Sequence, residues 1–250
     1  MVDAGLVSAG MELARPARAA IDGHVRLLVA WNSSINLTAL RRPEQIARNH
    51  VLDSLIAASA IGALRPQGLL DLGSGGGFPG LPLAAVLLTK RVALVDSIGK
   101  KARFLDVAAE AVSNALSDAG QQPPEITAVA ERAEDLADQP EQREAWSVVV
   151  ARAVGSVAEI AELGLPLAAR GGHVVCWKRD SADGALQAEI ADARRICQGT
   201  GGGTPRIIGL AAADRVGLPG HCLVVIEKRR PTPERYPRPA GERRRVPLLS

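Results

Sequence analysis

The sequence predicts an α/β fold in which a mainly parallel, seven-stranded sheet is covered by helices on both faces. Short apolar runs alternate with helical patterns from residue 66 onward. Strands that alternate with helices in this way imply right-handed crossovers between parallel strands. No convincing helix separates the last two runs, which predicts an antiparallel pair at one edge of the sheet.

Each predicted strand is a short apolar run, and each predicted helix shows apolar residues at helical spacing. The first strand leads into a glycine cluster that begins at residue 73. The later strands are predicted at residues 92–95, 126–130, 147–151, 174–177, 206–210 and 223–226. The helices among them are predicted at residues 81–88, 100–116, 157–165 and 185–197.

Residues 1–65 are predicted to form a helical addition in front of the first strand. Apolar residues recur at helical spacing between residues 11 and 31. A second helix is predicted to begin near Pro43 and to continue towards Ile61, with Gly62 ending it. The main folded domain then covers residues 66–228.

The composition of the chain excludes several classes of protein. Its 250 residues are 47% hydrophobic, which is enough for one sizeable domain with additions. The three cysteines form no C-x-x-C pair and the four histidines show no metal-ligand spacing, so neither disulfides nor a metal are expected. Without a leader-like start or a run of membrane-spanning length, the protein is expected to be a cytoplasmic monomer with no membrane partner.

The positive charge of the chain is concentrated at its C-terminal end. The net charge is +3, yet residues 229–250 hold seven arginines and five prolines. This composition predicts a disordered basic tail. Two roles for the tail remain open, namely a salt-sensitive attraction to RNA and simple solubility.

The glycine cluster predicts a loop that holds a nucleotide-type cofactor. Glycine can adopt a positive φ and lets a ligand approach the backbone closely. Gly75, Gly77 and Gly80 satisfy the G-x-G-x-x-G spacing of dinucleotide sites, with an acid, Asp96, about 20 residues later. The acid-first pattern Asp71-x-Gly73-x-Gly75 instead favours S-adenosylmethionine. A glycine-rich turn without a ligand is the third alternative.

Further motifs along the chain match those of one known family. They are Asn49-His50-Val51-Leu52-Asp53-Ser54, the glycine cluster ending in Phe78-Pro79-Gly80, Asp96-Ser97, Arg132-Ala133-Glu134 and Ala151-Arg152-Ala153. On these residues the chain resembles the glucose-inhibited division protein B family, bacterial methyltransferases that modify N7 of a guanine in small-subunit ribosomal RNA. The resemblance runs from about residue 25 to residue 228 and implies the class I methyltransferase, Rossmann-like fold.

The resemblance implies S-adenosylmethionine as cofactor and a set of residues at its site. Asp71 is expected to orient the loop or the cofactor ammonium, and Asp96 to hold the ribose. Ala133 and Glu134 are expected to frame the adenine, although an ordinary surface acid is the alternative for Glu134. The full set is Asp71, Gly73, Gly75, Phe78, Asp96, Ala133, Glu134 and Arg152.

Arg152 is the residue expected to act on the substrate. Guanine N7 already carries a lone pair, so methyl transfer needs alignment of the reacting atoms and no strong base. Arg152 is therefore expected to bind a phosphate or base edge and to position the cofactor, with a buried ion pair as the alternative. Lys178 is a weaker candidate for the RNA backbone.

The expected partner is 16S ribosomal RNA or the small ribosomal subunit. N7 is poorly accessible in the deep major groove of an RNA helix, so the target is expected in a loop or an opened helix. Two other functions remain open, a methyltransferase of the same fold with another substrate and a nicotinamide-dependent oxidoreductase. The expected phosphate contacts are Arg41, Arg42, Arg48, Lys100, Lys101 and Arg103.

Overall fold

The computed structural model of the protein describes residues 2–87, 89–181 and 183–245. Its centre is a sheet of seven strands. They are β1 (Gly68–Leu72), β2 (Arg91–Val95), β3 (Glu125–Val129), β4 (Trp146–Arg152), β5 (Ala168–Arg179), β6 (Arg206–Gly209) and β7 (His221–Glu227).

The order of the strands across the sheet is β3-β2-β1-β4-β5-β7-β6. The pairs formed among β1 to β5 are parallel, whereas β7 pairs antiparallel with both β5 and β6. These pairings confirm the predicted sheet and its antiparallel edge. After β3 the chain crosses to the other side of β1 to form β4, so the strand order reverses between the neighbouring strands β1 and β4. Open α/β sheets bind ligands at such a point.

Helices cover both faces of the sheet. A π-helical segment spans Ala47–Leu52, and a 3₁₀ turn (Asp214–Val216) precedes β7. The α-helices are α1 (Val2–Ala9), α2 (Arg15–Ile35), α3 (Pro43–Ile46), α4 (Asp53–Leu55), α5 (Ala58–Gly62), α6 (Gly80–Val86), α7 (Gly99–Asp118), α8 (Ala133–Ala137), α9 (Val157–Gly164), α10 (Ala185–Gly199) and α11 (Ala240–Arg245).

Alternate residues of the central strands enter two hydrophobic cores, one on each face. Leu69 of β1 and Val150 of β4 lie in the core that also holds α2, α6 and α7. Leu70 and Val149 lie in the other core, beneath α9 and α10. The N-terminal helices therefore share a core with the sheet, and α2 packs directly against α6 and α7.

Some elements differ from the sequence prediction. The short helices α1, α8 and α11 were not predicted. Strand β5 is twelve residues long, since Gly171 (φ +79°) interrupts its apolar pattern without ending the strand. The helix predicted at 81–88 is α6, and residue 88 itself lies outside the described residues.

The expectation of a disordered tail is wrong for residues 229–245. The guanidinium of Arg238 pairs with the buried carboxylate of Glu162, with Nε 2.7 Å from Oε1. Arg143 donates hydrogen bonds to the carbonyls of Thr232 (3.2 Å) and Tyr236 (3.0 Å). The composition of these residues predicts disorder when it is considered alone. It does not show that carboxylates on the folded domain pair with the arginines of the tail. Residues 246–250 lie outside the described residues.

Candidate active site

A cleft of about 450 Å³ opens at the carboxyl ends of β1, β4 and β5. This is the edge at which ligands bind in open parallel sheets. The loop after β1, the π-helical segment and the beginning of β7 form its walls. The lining residues are Leu37, Asn49, His50, Asp53, Gly73, Ser74, Gly75, Gly76, Phe78, Arg152, Ala153, Trp177, Lys178, Arg179 and His221.

The loop after β1 (residues 73–77) needs glycine for its backbone conformation. Gly73, Gly75 and Gly77 have φ angles of +72°, +55° and +85°. A Cβ on Gly73 would lie only 2.8 Å from Cγ2 of Val154. A side chain at this position would therefore strain the loop and disturb the wall of the cleft.

Asp71, at the end of β1, holds this loop in place from behind. Its Oδ2 accepts a hydrogen bond from the Gly80 N–H at 2.8 Å, and its main-chain oxygen accepts one from Ser74 Oγ at 2.9 Å. Its Oδ1 is buried and has no hydrogen-bond partner among the described residues. Burial raises the pKa of Asp71 to about 6. The unpaired oxygen fits a donor on a bound group, as the expected contact with an ammonium requires.

Asp96, which follows β2, holds the loop from the side. Its Oδ2 accepts the Gly75 N–H at 3.0 Å and its Oδ1 accepts the Ile98 N–H at 2.9 Å. Lys101 Nζ lies 3.9 Å from Oδ2. Each carboxylate oxygen has a second lone pair, so these bonds leave capacity for the expected contact with a ribose.

Phe78 lies between two histidines that come from the N-terminal helices. Its ring centroid is 4.5 Å from that of His24 and 4.8 Å from that of His50, with which it is stacked. His24 Nε2 lies 2.7 Å from the oxygen of Gly76, so the neutral ring donates to the glycine loop. Burial lowers the pKa of both histidines to about 4. Sequence reasoning missed His24, because a lone histidine on an apolar helix face carries no signal of its own.

Arg152 occupies the centre of the cleft, at the end of β4. Its Nη1 lies 2.9 Å from Asp53 Oδ2 and 2.8 Å from the oxygen of Asn49. Its Nη2 lies 3.0 Å from Nδ1 of His50, and its Cζ lies 5.6 Å from the Phe78 ring centroid. Arg152 thus makes the ion pair with Asp53 that was the alternative to substrate binding, and it also lines the cleft.

Asp53 connects Arg152 with two residues that sequence reasoning did not select. Its Oδ1 lies 2.8 Å from Nδ1 of His221, and its main-chain oxygen accepts the indole N–H of Trp177 at 3.2 Å. The Asp53 carboxylate is buried, so it balances the charge of Arg152 inside the cleft. Asp53 belongs to a motif quoted for the resemblance, and that was the signal available for finding it.

Two further candidate residues have partners on the protein itself. Glu134 of α8 pairs with Arg243 of α11 at 2.5 Å, and neither Glu134 nor its neighbour Ala133 lines the cleft. Lys178 pairs with Glu189 at 2.6 Å and donates to the oxygen of Gly155. Lys178 is therefore not an ordinary solvated lysine, because its ammonium is held against α10.

Neither a metal-binding cluster nor a membrane-spanning helix occurs within residues 2–87, 89–181 and 183–245. Among these residues no group of three or more His, Cys, Asp or Glu side chains is placed to hold a metal ion. No helix in the same part of the chain is long and apolar enough to cross a membrane. The described cysteines Cys176, Cys197 and Cys222 are buried and form no disulfide bond with one another.

The architecture is similar to that of solved enzyme structures. The branched-chain polyamine synthase of Thermus thermophilus matches with a TM-score of 0.53 and 18% identity, over 87% of this chain and 65% of the synthase. A mutant of MtNAS in complex with S-adenosylmethionine matches with a TM-score of 0.50 and 11% identity, over 85% of this chain and 73% of that one. Likenesses at this identity show the fold alone, and they agree with the predicted Rossmann-like class.

Similarity in sequence is closer and covers most of the chain. A protein of Roseiflexus castenholzii named ribosomal RNA small subunit methyltransferase G is 40% identical over 223 residues, or 89% of this chain and 88% of that relative. A protein of the same name from Staphylococcus carnosus is 36% identical over 231 residues, or 90% of this chain and 88% of that relative. The model of the GidB family, described as rRNA small subunit methyltransferase G, matches residues 18–199. Three of its motifs line one cleft, and by these similarities in sequence the chain belongs to the GidB family of methyltransferases.

Proposed function

We propose that this protein transfers the methyl group of S-adenosylmethionine to N7 of a guanine in 16S ribosomal RNA. The observation that carries the proposal is the convergence of three family motifs on one cleft. His50 and Asp53 come from the first motif, Phe78 from the second and Arg152 from the third. We expect the protein to act on the RNA or on the small subunit as a cytoplasmic monomer.

The residues around the loop after β1 fit the cofactor. When bound, S-adenosylmethionine supplies a methyl group on a positively charged sulfur. Gly73 and Gly75 would allow close approach of the backbone, and the buried, unpaired Oδ1 of Asp71 would accept from the ammonium. Asp96 would accept from the ribose hydroxyls, and the segment at Ala133 would meet the adenine.

The position of Gly80 argues against a dinucleotide. Dinucleotide sites place the pyrophosphate on the free N–H groups of the helix that follows the glycine loop. Here the first residue of that helix, Gly80, donates its N–H to the Asp71 carboxylate at 2.8 Å. A carboxylate at this place would repel a pyrophosphate, whereas it would attract the ammonium and sulfonium charges of S-adenosylmethionine.

The charges in the cleft suit methyl transfer to a neutral ring nitrogen. The methylated guanine gains positive charge, so an uncompensated cation beside N7 would oppose the reaction. Arg152 is compensated by the buried carboxylate of Asp53, and His50 is held neutral by a pKa of about 4. We propose that Arg152 orients the base edge through its fixed guanidinium and transfers no proton.

The RNA backbone requires cations outside the cleft. Basic residues before and within the π-helical region and in α7 are the proposed phosphate contacts. Arg41, Arg42, Arg48, Lys100 and Arg103 are exposed, whereas Lys101 is half-buried. Arg41, Arg48 and Lys101 also have partners on the protein, namely the Asn32 oxygen, Asn49 Oδ1 and Asp96.

The cofactor part of the proposal can be tested by calorimetry on the purified protein. We expect S-adenosylhomocysteine to bind and NAD not to bind. Tritiated S-adenosylmethionine, offered with naked 16S RNA or with small-subunit particles, then shows which form accepts the label. Binding of NAD without S-adenosylhomocysteine would contradict the proposal. Binding of S-adenosylhomocysteine with label only in another substrate would support the proposed cofactor and contradict the proposed RNA substrate.

A further inference from the structure

The C-terminal segment (residues 229–245) is fixed to the domain by buried charged groups. Arg238 Nε and Nη2 lie 2.7 and 2.8 Å from the two carboxylate oxygens of Glu162. The Arg238 N–H also points to Glu162 Oε1, at 3.1 Å. A bidentate pair with the carboxylate buried sets the position of the segment more firmly than an exposed pair would.

The same segment reaches α8, the short helix that follows β3. Arg143, just beyond α8, donates to the oxygen of Ala137 at its end and to the oxygens of Thr232 and Tyr236 in the segment. At the other end of α8, Glu134 pairs with Arg243, and both side chains are only 13% exposed. Two arginines therefore connect α8 to the segment, one near each end.

Arg243 itself is oriented by the anchored part of the segment. Its Nη1 donates to the main-chain oxygen of Arg238 at 2.6 Å, while its Nη2 contacts Glu134. The buried pair of Arg238 with Glu162 thus determines where the Arg243 guanidinium lies. This chain of contacts runs from α9 through the segment to the first turn of α8.

We infer that Arg243 is a positioning residue for cofactor binding, which acts by holding Glu134 and with it the main chain at Ala133. This inference rests on the proposed function, in which this main chain meets the adenine. Helix α8 has only five residues, and a helix of that length is not stable by its own hydrogen bonds. A preformed contact surface lowers the ordering cost of binding, so loss of Arg243 should weaken the affinity for the cofactor.

The test compares the wild type with Arg243→Ala, Arg243→Lys and the matched control Arg245→Ala, which changes an exposed arginine of the same helix. Calorimetry should show that Arg243→Ala raises the Kd of S-adenosylhomocysteine about three- to ten-fold. The KM for S-adenosylmethionine should rise by the same factor at unchanged kcat. Arg243→Lys should recover part of the loss, and Arg245→Ala should bind as the wild type does.

Two further measurements separate positioning from general destabilisation. Hydrogen exchange of the free protein should be faster at residues 133–137 in Arg243→Ala, with the strands of the sheet unchanged. Glu134→Gln should weaken binding to a similar degree, and adding Arg243→Ala to it should have little further effect.

The results of these measurements distinguish a failure of this inference from a failure of the proposed function. Wild-type affinity and unchanged exchange in Arg243→Ala would overturn the inference while leaving the proposed function intact. Additive losses from Glu134→Gln and Arg243→Ala would also overturn it, because Arg243 would then act independently of Glu134. No binding of S-adenosylhomocysteine by the wild type would reject the proposed function, and this inference with it.

Discussion

At the residue scale, the buried carboxylate of Asp71, which is proposed to bind the cofactor, lowers the stability of the folded protein. Its carboxylate is buried beneath the glycine loop, with one oxygen bonded to Gly80 and the other without a partner in the described part of the chain. A buried and partly unsatisfied carboxylate is unfavourable in the free protein. The bound cofactor would offset this cost by supplying the missing donor.

The pKa of Asp71 gives this cost a measurable pH dependence. The folded protein releases this proton near pH 6, whereas an unfolded chain releases it near pH 3.8. Stability therefore falls as the pH rises between these values, and the full penalty, on the order of 3 kcal/mol, applies above pH 6. Below about pH 4 the carboxyl is protonated in both states and the penalty disappears.

We expect Asp71→Asn to raise the free energy of unfolding at pH 8 by about 1–3 kcal/mol and to have little effect at pH 4. The same substitution should weaken the binding of S-adenosylhomocysteine, because the charge that faces its ammonium is lost. Urea unfolding at several pH values measures the first effect, with Asp106→Asn on the exposed face of α7 as control. A stability difference that is independent of pH would contradict this assignment.

At the element scale, two segments of unusual backbone conformation line the cleft, and the glycine loop is the first. Gly73 has a φ of +72° and no room for a Cβ beside Val154. We expect Gly73→Ala to lower the free energy of unfolding by about 1–2 kcal/mol and to impair cofactor binding.

The control for this prediction is Gly23→Ala in the middle of α2. A Cβ at Gly23 would meet no atom within 4 Å, and its φ is not in the positive range. Alanine should therefore stabilise this helix by up to about 1 kcal/mol without changing the affinity for S-adenosylhomocysteine. Equal effects of the two substitutions, measured by urea unfolding and calorimetry, would show that the loop conformation does not matter.

The second segment is the π-helical stretch Ala47–Leu52, which turns His50 and the neighbouring Asp53 towards Arg152. π-Helical turns are rare and often lie at functional sites. Because one extra residue enters the turn, the side chains that follow it point in directions that a regular helix would not give them. The π-helical stretch therefore interrupts the helix predicted from Pro43 to Ile61 at the residues that line the cleft.

We expect Asp53→Asn to leave Arg152 without its countercharge inside the cleft and His221 without its carboxylate partner. Removing one partner of a buried ion pair costs about 3–5 kcal/mol of stability. The kcat/KM for methyl transfer should fall by about 100-fold, with a smaller change in cofactor affinity.

Asp22→Asn is the matched control for this prediction. Asp22 pairs with Arg18 on the surface of α2 and is 44% exposed, so its loss should change stability by less than about 1 kcal/mol. Single-turnover kinetics and urea unfolding on both variants give the comparison. Full activity of Asp53→Asn would show that the pair with Arg152 has no part in substrate binding.

At the scale of the whole molecule, the sequence was sufficient to predict the sheet and the glycine loop after β1. Strands are encoded by local apolar runs, and Asp71 and Asp96 follow directly from where β1 and β2 end. The contacts of Asp53 could not be predicted in the same way. Its partners Arg152 and His221 lie 99 and 168 residues away along the chain.

The contacts of the C-terminal segment could not be predicted from the sequence either. Its prolines and arginines predict disorder when they are considered alone, since few of these residues can enter a core. Glu162 and Glu134 become its partners only after α8 and α9 have folded onto the sheet. The pairing therefore depends on the tertiary arrangement and not on a pattern within residues 229–245.

The measurement that tests the account most directly identifies the methylated nucleoside. The purified protein is incubated with labelled S-adenosylmethionine and with small-subunit particles from cells that lack it, and the RNA is then digested to nucleosides. We expect the label in N7-methylguanosine, with a large loss of label for Arg152→Ala. Label in another nucleoside, or none despite measured binding of S-adenosylhomocysteine, would contradict the proposed reaction.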